Sequence, residues 1–296
     1  MEKPDANDRR SAAMFISSML IFGTIGIFRR HIPLPSAFLA FVRGTLGGAF
    51  LMAYVRATGK NTGEKLKPRE LLHLAATGAM MGINWILLFE AYNYTTVAVA
   101  TLCYYMQPTI VILLSPFIFR ERLTGKRAAC AAVSIIGMVL VSGVIGTGGA
   151  RSGDIRGVLL GLGAAFFYSA VVIMNKLLPG IEAYRKTTVQ LLSAGIVMIP
   201  YLLLTNGFGG GRIGVTSAVL LLIIGIVHTG IAYVLYFGSM DGLRVQSIAV
   251  LSYIDPVSAL LFSALLLREP LSLTGIVGAV LIIGSAMVSE LPAGEK

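Results

Sequence analysis

The chain of 296 residues is 56% hydrophobic and only 13% charged, with a formal net charge of +10. Soluble domains are about 45–50% apolar and about 25% charged, so this composition excludes an ordinary water-soluble fold. Uncharged stretches of roughly 20 residues recur along the chain. An α-helix of that length crosses a hydrocarbon core of about 30 Å. The composition therefore predicts an all-α membrane protein.

Ten apolar stretches, separated by charged or Gly- and Pro-rich segments, are predicted to be transmembrane helices. They cover residues 11–28, 36–55, 71–90, 97–118, 126–146, 157–175, 186–205, 215–237, 246–267 and 272–290. The segments between them are short, so we expect the function to lie inside the bilayer. Cys103 and Cys130 fall within predicted helices, where we expect small apolar fillers rather than a disulfide.

The net positive charge is explained by the orientation of the helices rather than by a nucleic-acid partner. If the amino terminus is cytoplasmic, the predicted inner segments hold 17 Lys and Arg residues and the outer segments hold 6. Cytoplasmic loops carry such an excess. We therefore predict a multi-pass protein of the cell inner (plasma) membrane with both termini cytoplasmic, in contact with the lipid bilayer and without nucleic acid.

An internal repeat appears when the sequence is shifted by 148 residues. Between Tyr104 and Thr124, seven of 21 positions are identical in the second copy. The shift predicts a first five-helix repeat at residues 1–146, a Gly-rich linker at 147–156 and a second repeat at 157–296. Because five is an odd number, the second repeat enters the membrane from the opposite side. Inverted repeats of this kind surround a central cavity in many transporters.

The chain resembles the ten-helix carriers of the drug/metabolite transporter superfamily, EamA type, along nearly its whole length. The resemblance rests on the repeat and on the segments Tyr104-Tyr105-Met106-Gln107-Pro108, Arg120-Glu121-Arg122-Leu123-Thr124, Ser252-Tyr253-Ile254-Asp255-Pro256 and Arg268-Glu269-Pro270-Leu271. It implies a secondary transporter, an exporter of small organic metabolites such as amino acids, working by alternating access. Phe22-Gly23-Thr24 departs from the Trp-Gly-Ser that the family often shows there.

Two charged residues within predicted helices are candidate substrate-binding residues. A charge in the bilayer is costly unless it faces a wet cavity or a partner. Arg43 presents a planar fork suited to an anionic group of the substrate; a structural pair with Glu90, or snorkelling to the nearer face, stays an open alternative. Asp255 is suited to proton or substrate coupling, and a satisfied helix-packing carboxyl is the alternative.

Further candidates are polar or aromatic residues on the same helices. His228 is a candidate for a proton or substrate role, or is a neutral residue that hydrogen-bonds a neighbouring helix. Aromatic walls suit an amphipathic organic solute, although many such rings only pack. The remaining predicted substrate-binding residues are Asn84, Trp85, Tyr105, Gln107, Tyr233 and Tyr253. Gln107 is the counterpart of Asp255 in the repeat.

Pro108 and Pro256 are repeat-related prolines near the middle of the fourth and ninth predicted helices. Proline inside a helix removes one backbone hydrogen bond and clashes with the preceding turn, so we expect kinks at both positions. Paired kinks fit gating or cavity-lining helices, and a simple packing kink is the alternative. The fifth and tenth helices hold no ionisable residue through most of their length, so we expect them to brace the halves or to pair protomers in a homodimer.

An alternative function is a membrane-embedded enzyme acting on lipid-linked substrates. Such an enzyme needs a nucleophile, an acid/base pair or metal ligands near a membrane face. With three histidines, two cysteines in predicted helices and no clustered carboxylates, the sequence shows no such group. We therefore predict a non-enzymatic carrier of a small molecule, with no cofactor and no metal. A helical scaffold or receptor leaves Arg43, Asp255 and the repeat unexplained.

The charge distribution predicts the location of both chain ends. Cysteines introduced at each terminus should resist a membrane-impermeant thiol reagent in intact cells and react after the cells are opened. The two native cysteines are replaced by serine so that only the new sites react. Labelling of one end alone in intact cells would rule out an even number of membrane crossings.

Overall fold

In the computed structural model, the described residues are 6–59, 66–120, 123–142, 152–178, 180–205, 207–208, 213–240 and 242–290. These residues contain helices and no strand, so the prediction of an all-α protein is confirmed. The helices are α1 (Ala6–Gly23), α2 (Ile25–Arg30), α3 (Ser36–Ala57), α4 (Pro68–Tyr94), α5 (Val97–Tyr104), α6 (Gln107–Phe119), α7 (Gly125–Val141), α8 (Ser152–Leu177), α9 (Ala183–Leu204), α10 (Val215–Leu222), a π-helix (Ile223–Ile231), α11 (Ala232–Met240), α12 (Val245–Ser252), α13 (Ile254–Leu266) and α14 (Leu273–Glu290).

Within the described ranges, seven helical stretches are long and apolar enough to cross a membrane. They are Arg9–Arg30, Ser36–Ala57, Pro68–Tyr94, Val97–Phe119, Asp154–Leu177, Ala183–Leu204 and Val215–Met240. Two shorter apolar helices cover Val250–Leu266 and Leu273–Ser289, and α7 has 17 residues. The chain is thus built of helices that span a bilayer, and a total of ten crossings stays a prediction.

Large apolar side chains cover the outside of the helix bundle. Phe117 is 83% exposed, Leu204 86% and Leu265 71%. In water such a surface would be unfavourable by about 25 cal/mol for each Å². Facing acyl chains it costs nothing, because lipid tails are as apolar as leucine.

The same local backbone pattern recurs 148 residues along the chain. Helices α5 and α12 have eight residues each and begin at Val97 and Val245, and each is followed by a break and a 13-residue helix. Arg120 and Arg268, which follow those longer helices, both have φ 55°. A non-glycine residue is uncommon in that left-handed region, so the repeat extends from sequence to an unusual backbone detail.

Helix contacts also recur in pairs. Helix α3 packs against α9, and α7 packs against α14; in each pair the two helices start about 148 residues apart. Helix α4 contacts α8 and α9, while its counterpart, formed by α10, the π-helix and α11, contacts α1 and α3. The main core of buried apolar side chains lies among these helices. The packing therefore joins the first half of the chain to the second throughout.

Helices α7 and α14 are held together by small residues. The Ser134 and Ser285 hydroxyl oxygens lie 2.9 Å apart. A Cβ atom added to Gly137 would lie 2.8 Å from the backbone oxygen of Gly278, so only glycine allows this separation of the two helices. This contact between α7 and α14 of one chain agrees with the expectation that these helices brace the two halves.

The predicted linker at 147–156 is only partly covered, because residues 147–151 lie outside the described residues. Helix α8 begins at Ser152, within the linker that we predicted. The small and polar residues of this segment predicted a linker. Asp154 is in the first turn of α8, where its negative charge is favourable next to the positive end of the helix dipole. Cys103 and Cys130 are buried free thiols, as predicted for fillers.

Replacing Gly137 with valine should separate α7 from α14 and destabilise the protein. Overpacking of this kind costs about 1–3 kcal/mol, which we expect to measure as a lowered unfolding temperature of the purified protein in detergent. Gly284→Val is the matched control, because nothing lies within 4 Å of a Cβ at that position on α14. Equal melting temperatures for the two variants would contradict the close contact.

Candidate functional site

A cavity of about 310 Å³ lies between the two halves of the chain. Helices α1 to α6, α8 and α11 to α13 contribute to its wall, and neither α7 nor α14 does. The lining residues are Met19, Phe22, Gly23, Ile25, Gly26, Arg43, Met81, Trp85, Leu88, Tyr92, Thr101, Tyr104, Tyr105, Gln107, Pro108, Tyr168, Tyr233, Tyr236, Ser252, Tyr253, Asp255 and Ala259. The wall thus combines aromatic rings with one cationic and one anionic side chain.

Arg43 extends from α3 into this cavity and is only 7% exposed. Its Nε donates a hydrogen bond to the Thr229 hydroxyl oxygen over 3.1 Å. The guanidinium carbon lies 4.2 Å from the ring centre of Trp85, a cation–π distance. The ring and the hydroxyl together hold the plane of the guanidinium.

The alternative partner for Arg43, Glu90, is occupied elsewhere. A Glu90 carboxylate oxygen accepts hydrogen bonds from the Ser36 hydroxyl at 2.7 Å and from the Asn93 amide at 3.1 Å. Arg43 forms no ion pair with Glu90, whereas Arg30 lies 3.0 Å from Glu269 in an ion pair. The alternative of a structural pair between Arg43 and Glu90 is therefore wrong. The glutamate belongs to a polar group at the start of α3 and the end of α4.

Asp255 lies in the first turn of α13 and faces the same cavity. It accepts a short hydrogen bond of 2.5 Å from the hydroxyl of Tyr105. Tyr105 is in the break between α5 and α6, and Asp255 follows the equivalent break between α12 and α13. The bond therefore connects the two repeat-related breaks directly. Gln107, the counterpart of Asp255, also lines the cavity.

The two prolines lie at helix starts and not inside helices. Pro108 is the second residue of α6 and Pro256 the third residue of α13, so both lie in the first turn. A first-turn residue has no helical partner for its N–H, so proline is tolerated there. In place of the expected kinks the helices have short breaks, of two residues between α5 and α6 and of one residue between α12 and α13. The role of these prolines in gating stays a prediction. Pro108 lines the cavity and Pro256 does not.

Aromatic rings form much of the cavity wall. Tyr104 and Tyr168 are stacked with their ring centres 5.3 Å apart, and Phe22 meets Tyr233 edge-on at 5.6 Å. The predicted Trp85, Tyr105, Tyr233 and Tyr253 all lie in this wall. Such a wall suits the apolar part of an organic solute.

Other lining residues were not predicted. Tyr92 is seven residues after Trp85 on α4, so the helical period could have placed it on the same face. Tyr168 had no comparable signal, because its helix carries no charge or proline near that position. Only the packing of α8 against α5 and α6 brings it to the cavity.

Two predicted substrate-binding residues, Asn84 and His228, lie outside the cavity wall. The Asn84 amide nitrogen donates to the Ala164 backbone oxygen at 2.5 Å, which joins α4 to α8. The His228 Nε2 atom lies 2.9 Å from the Thr24 hydroxyl oxygen. Polar side chains in a helix bundle also serve to hydrogen-bond neighbouring helices, and both residues do so in this structure. Direct binding of a solute by either residue stays a prediction.

These observations describe a multi-pass helical membrane protein with a polar, aromatic cavity between its halves. Within the part of the chain that the structure describes, no three His, Cys, Asp or Glu residues form a group that could hold a metal ion. The arrangement can bind a small solute through an arginine fork, a carboxyl group and aromatic faces.

The chain belongs to the EamA-like transporter family, whose model matches residues 9–143 and again residues 155–290. It is 31% identical over 246 residues to the uncharacterized transporter YxxF of Bacillus subtilis, covering 83% of this chain and 78% of that protein. It is 30% identical over 208 residues to an Escherichia coli protein named "Probable amino-acid metabolite efflux pump", covering 66% and 68% of the two chains.

A solved crystal structure has the same fold at 21% sequence identity, with a TM-score of 0.68, covering 95% of this chain and 96% of that one. The family and the relatives are transporters. The chain is accordingly a transporter and not an enzyme, and the lipid-linked enzyme alternative has no support. Its identification as an EamA-type member of the drug/metabolite transporter superfamily is confirmed.

Replacing Asp255 with asparagine tests whether this carboxyl takes up protons during transport. Asparagine keeps the size and the contact with Tyr105 but cannot titrate, so we expect the pH profile of flux to lose the inflection that this carboxyl produces. Flux of a labelled solute into proteoliposomes that contain each variant is measured over a range of pH. Tyr105→Phe is the control that removes the hydrogen bond and keeps the carboxyl. An unchanged profile for Asp255→Asn would remove this residue from proton coupling.

Proposed function

We propose that this protein is a secondary transporter that exports small organic metabolites such as amino acids. The observation that carries the proposal is the cavity between the halves, where Arg43 and Asp255 face the same space without forming an ion pair with each other. Charges in the interior of a membrane protein are rare and mark substrate or ion pathways. A solute with a carboxylate and an ammonium group complements both.

The size and the walls of the cavity support a small organic solute. A volume of about 310 Å³ is at the lower end of the usual range of ligand pockets, roughly 300–1,000 Å³. The stacked tyrosines and Trp85 offer apolar faces, while the Tyr105 hydroxyl and Gln107 offer polar contacts. The name of the Escherichia coli relative, "Probable amino-acid metabolite efflux pump", supports the same solute class and the outward direction.

We propose ten membrane crossings arranged as two inverted five-helix repeats, residues 1–146 and 157–296. The family model matching each half separately supports this arrangement. The recurring helix breaks and the paired helix contacts support it further. Because each half has an odd number of crossings, the second half has the opposite orientation in the membrane. The excess of positive residues in the predicted inner segments favours cytoplasmic termini in the inner membrane.

Alternating access follows from such a repeat, because each half can adopt the conformation of the other and move access from one face to the opposite face. Helices α5 and α6, and likewise α12 and α13, meet at breaks that border the cavity. We propose these breaks, with Pro108 and Pro256, as the points where the helices bend. A homodimer also stays a prediction.

A counterflow screen of purified protein in proteoliposomes tests this function. Vesicles loaded in turn with amino acids, nucleosides or sugars are diluted into trace amounts of the same labelled compound. Accumulation of an amino acid without any chemical product supports a carrier of that class. Accumulation of nucleosides or sugars alone would contradict the proposed solute class.

Replacing Arg43 with glutamine should strongly reduce transport of carboxylate-bearing solutes while the protein still inserts. Hydrogen bonds to charged groups contribute about 1.5–3 kcal/mol, so we expect the counterflow rate to fall roughly 10- to 100-fold. Arg244→Gln is the matched control, because Arg244 is exposed just before α12 and away from the cavity. Equal rates for both variants would leave shape and aromatic walls as the basis of recognition.

A further inference from the structure

The π-helix Ile223–Ile231 lies within a predicted membrane span and packs directly on α3. Longer π-helical runs are rare, and π-helical turns are frequent at functional sites. Its wider turn lets the Thr229 hydroxyl donate to the Ile224 backbone oxygen, five residues earlier, at 3.0 Å. A Cβ atom added to Gly47 on α3 would lie 2.7 Å from the Thr229 Cβ. The π-helix and α3 therefore touch at Thr229, one turn of α3 away from Arg43.

The hydrogen bond to Thr229 decides which part of the Arg43 guanidinium faces the solute. A guanidinium has five N–H donors and can hold a carboxylate in two ways, through Nε with one Nη or through both Nη groups. In this structure Nε donates to Thr229, so the first arrangement is blocked. The stacking on Trp85 fixes the plane. The remaining fork is the end-on pair of Nη groups.

The residue next to Thr229 connects the π-helix to the first helix. His228 is 2% exposed, and its Nε2 lies 2.9 Å from the hydroxyl oxygen of Thr24, the residue between α1 and α2. Phe28 of α2 packs edge-on against the imidazole at 4.6 Å between ring centres. Gly23 and Ile25, on either side of Thr24, line the cavity. Consecutive residues of the π-helix thus contact the cavity cation and the interruption in the first helix.

We propose that the π-helix is the positioning element for Arg43: Thr229 holds the guanidinium in the end-on orientation for an anionic group, and His228 anchors the same segment to Thr24. This inference rests on the proposed binding of an anionic solute group by Arg43. Thr229 and His228 act as positioning residues, because they contact the arginine and the helix break and not the cavity itself. His228 therefore has a part in recognition without touching the solute.

The only tryptophan of the chain makes this proposal testable without a known substrate. Trp85 stacks on Arg43, so its fluorescence, excited where tyrosine does not absorb, reports the position of the guanidinium. The full chain is purified in detergent, and its emission is recorded alone and during titration with sodium acetate, a minimal carboxylate. Ethylammonium chloride at the same ionic strength is the control without a carboxylate.

Thr229→Val removes the hydroxyl and nearly keeps the shape of the side chain, whereas Thr229→Ser keeps the hydroxyl and removes the methyl group. We expect Thr229→Val to shift the emission of Trp85 and to weaken the apparent affinity for acetate about tenfold, while Thr229→Ser stays within about twofold of the parent protein. Thr77→Val is the matched control, because Thr77 is buried on α4 with its hydroxyl bonded to its own helix. If Thr229→Val does not fold, Thr229→Ala removes the same hydroxyl with less bulk.

The anchoring part of the proposal is tested at Thr24. We expect Thr24→Val to shift the Trp85 emission in the same direction by a smaller amount and to weaken acetate binding about threefold, with Thr24→Ser close to the parent. A Trp85 spectrum unchanged in Thr24→Val would overturn the anchoring role of His228.

The outcomes separate this inference from the proposed function. Parent-like emission and acetate affinity in the Thr229 hydroxyl-free variants would overturn the positioning role, whatever Arg43 binds. A shifted emission in those variants, with no response to acetate in the parent protein, would support positioning and contradict anion binding by Arg43. Loss of the acetate response in Arg43→Gln supports anion binding by Arg43, and a shifted emission with weaker acetate binding in the Thr229 hydroxyl-free variants supports the positioning role.

Discussion

The cost of placing a guanidinium inside a membrane is the constraint on which the rest of the structure depends. An arginine at that depth requires hydrogen-bond partners, a ring face or a wet cavity, because lipid offers none of them. Arg43 has all three: the Thr229 hydroxyl, the Trp85 ring and the space between the halves. The helices around it leave only 7% of this residue exposed, and the cavity that it faces lies between the two halves.

Small residues and helix breaks make that arrangement possible. Gly47 brings α3 against the π-helix closely enough for Thr229 to reach Arg43. The breaks that precede Pro108 and Pro256 end α5 and α12 in the middle of the bundle and bring Tyr105 next to Asp255. Irregular backbone at membrane depth is tolerated only where it is buried in protein or borders a cavity, and both breaks border this one.

Polar side chains in this bundle divide into two groups. Arg43, Gln107 and Asp255 line the cavity, whereas Asn84 and His228 hydrogen-bond neighbouring helices. The two groups have the same signature in the sequence, because each member is a polar residue in an apolar stretch. The direction of each side chain depends on how its helix is rotated about its own axis. When every face of a helix is apolar, the sequence pattern does not determine that rotation.

The sequence by itself determined the class of protein, the approximate positions of the apolar helices, the 148-residue repeat and eight of the 22 residues in the cavity wall. These eight are Arg43, Trp85, Tyr105, Gln107, Pro108, Tyr233, Tyr253 and Asp255. These features follow from local apolarity, from internal identity and from the cost of buried charge. Only the tertiary structure decided that Glu90 is occupied by Ser36 and Asn93 and that Tyr168 joins the wall. The π-helix was also not predictable from the sequence. These features depend on how helices rotate and pack against one another, and the residue pattern along a single helix does not determine that packing.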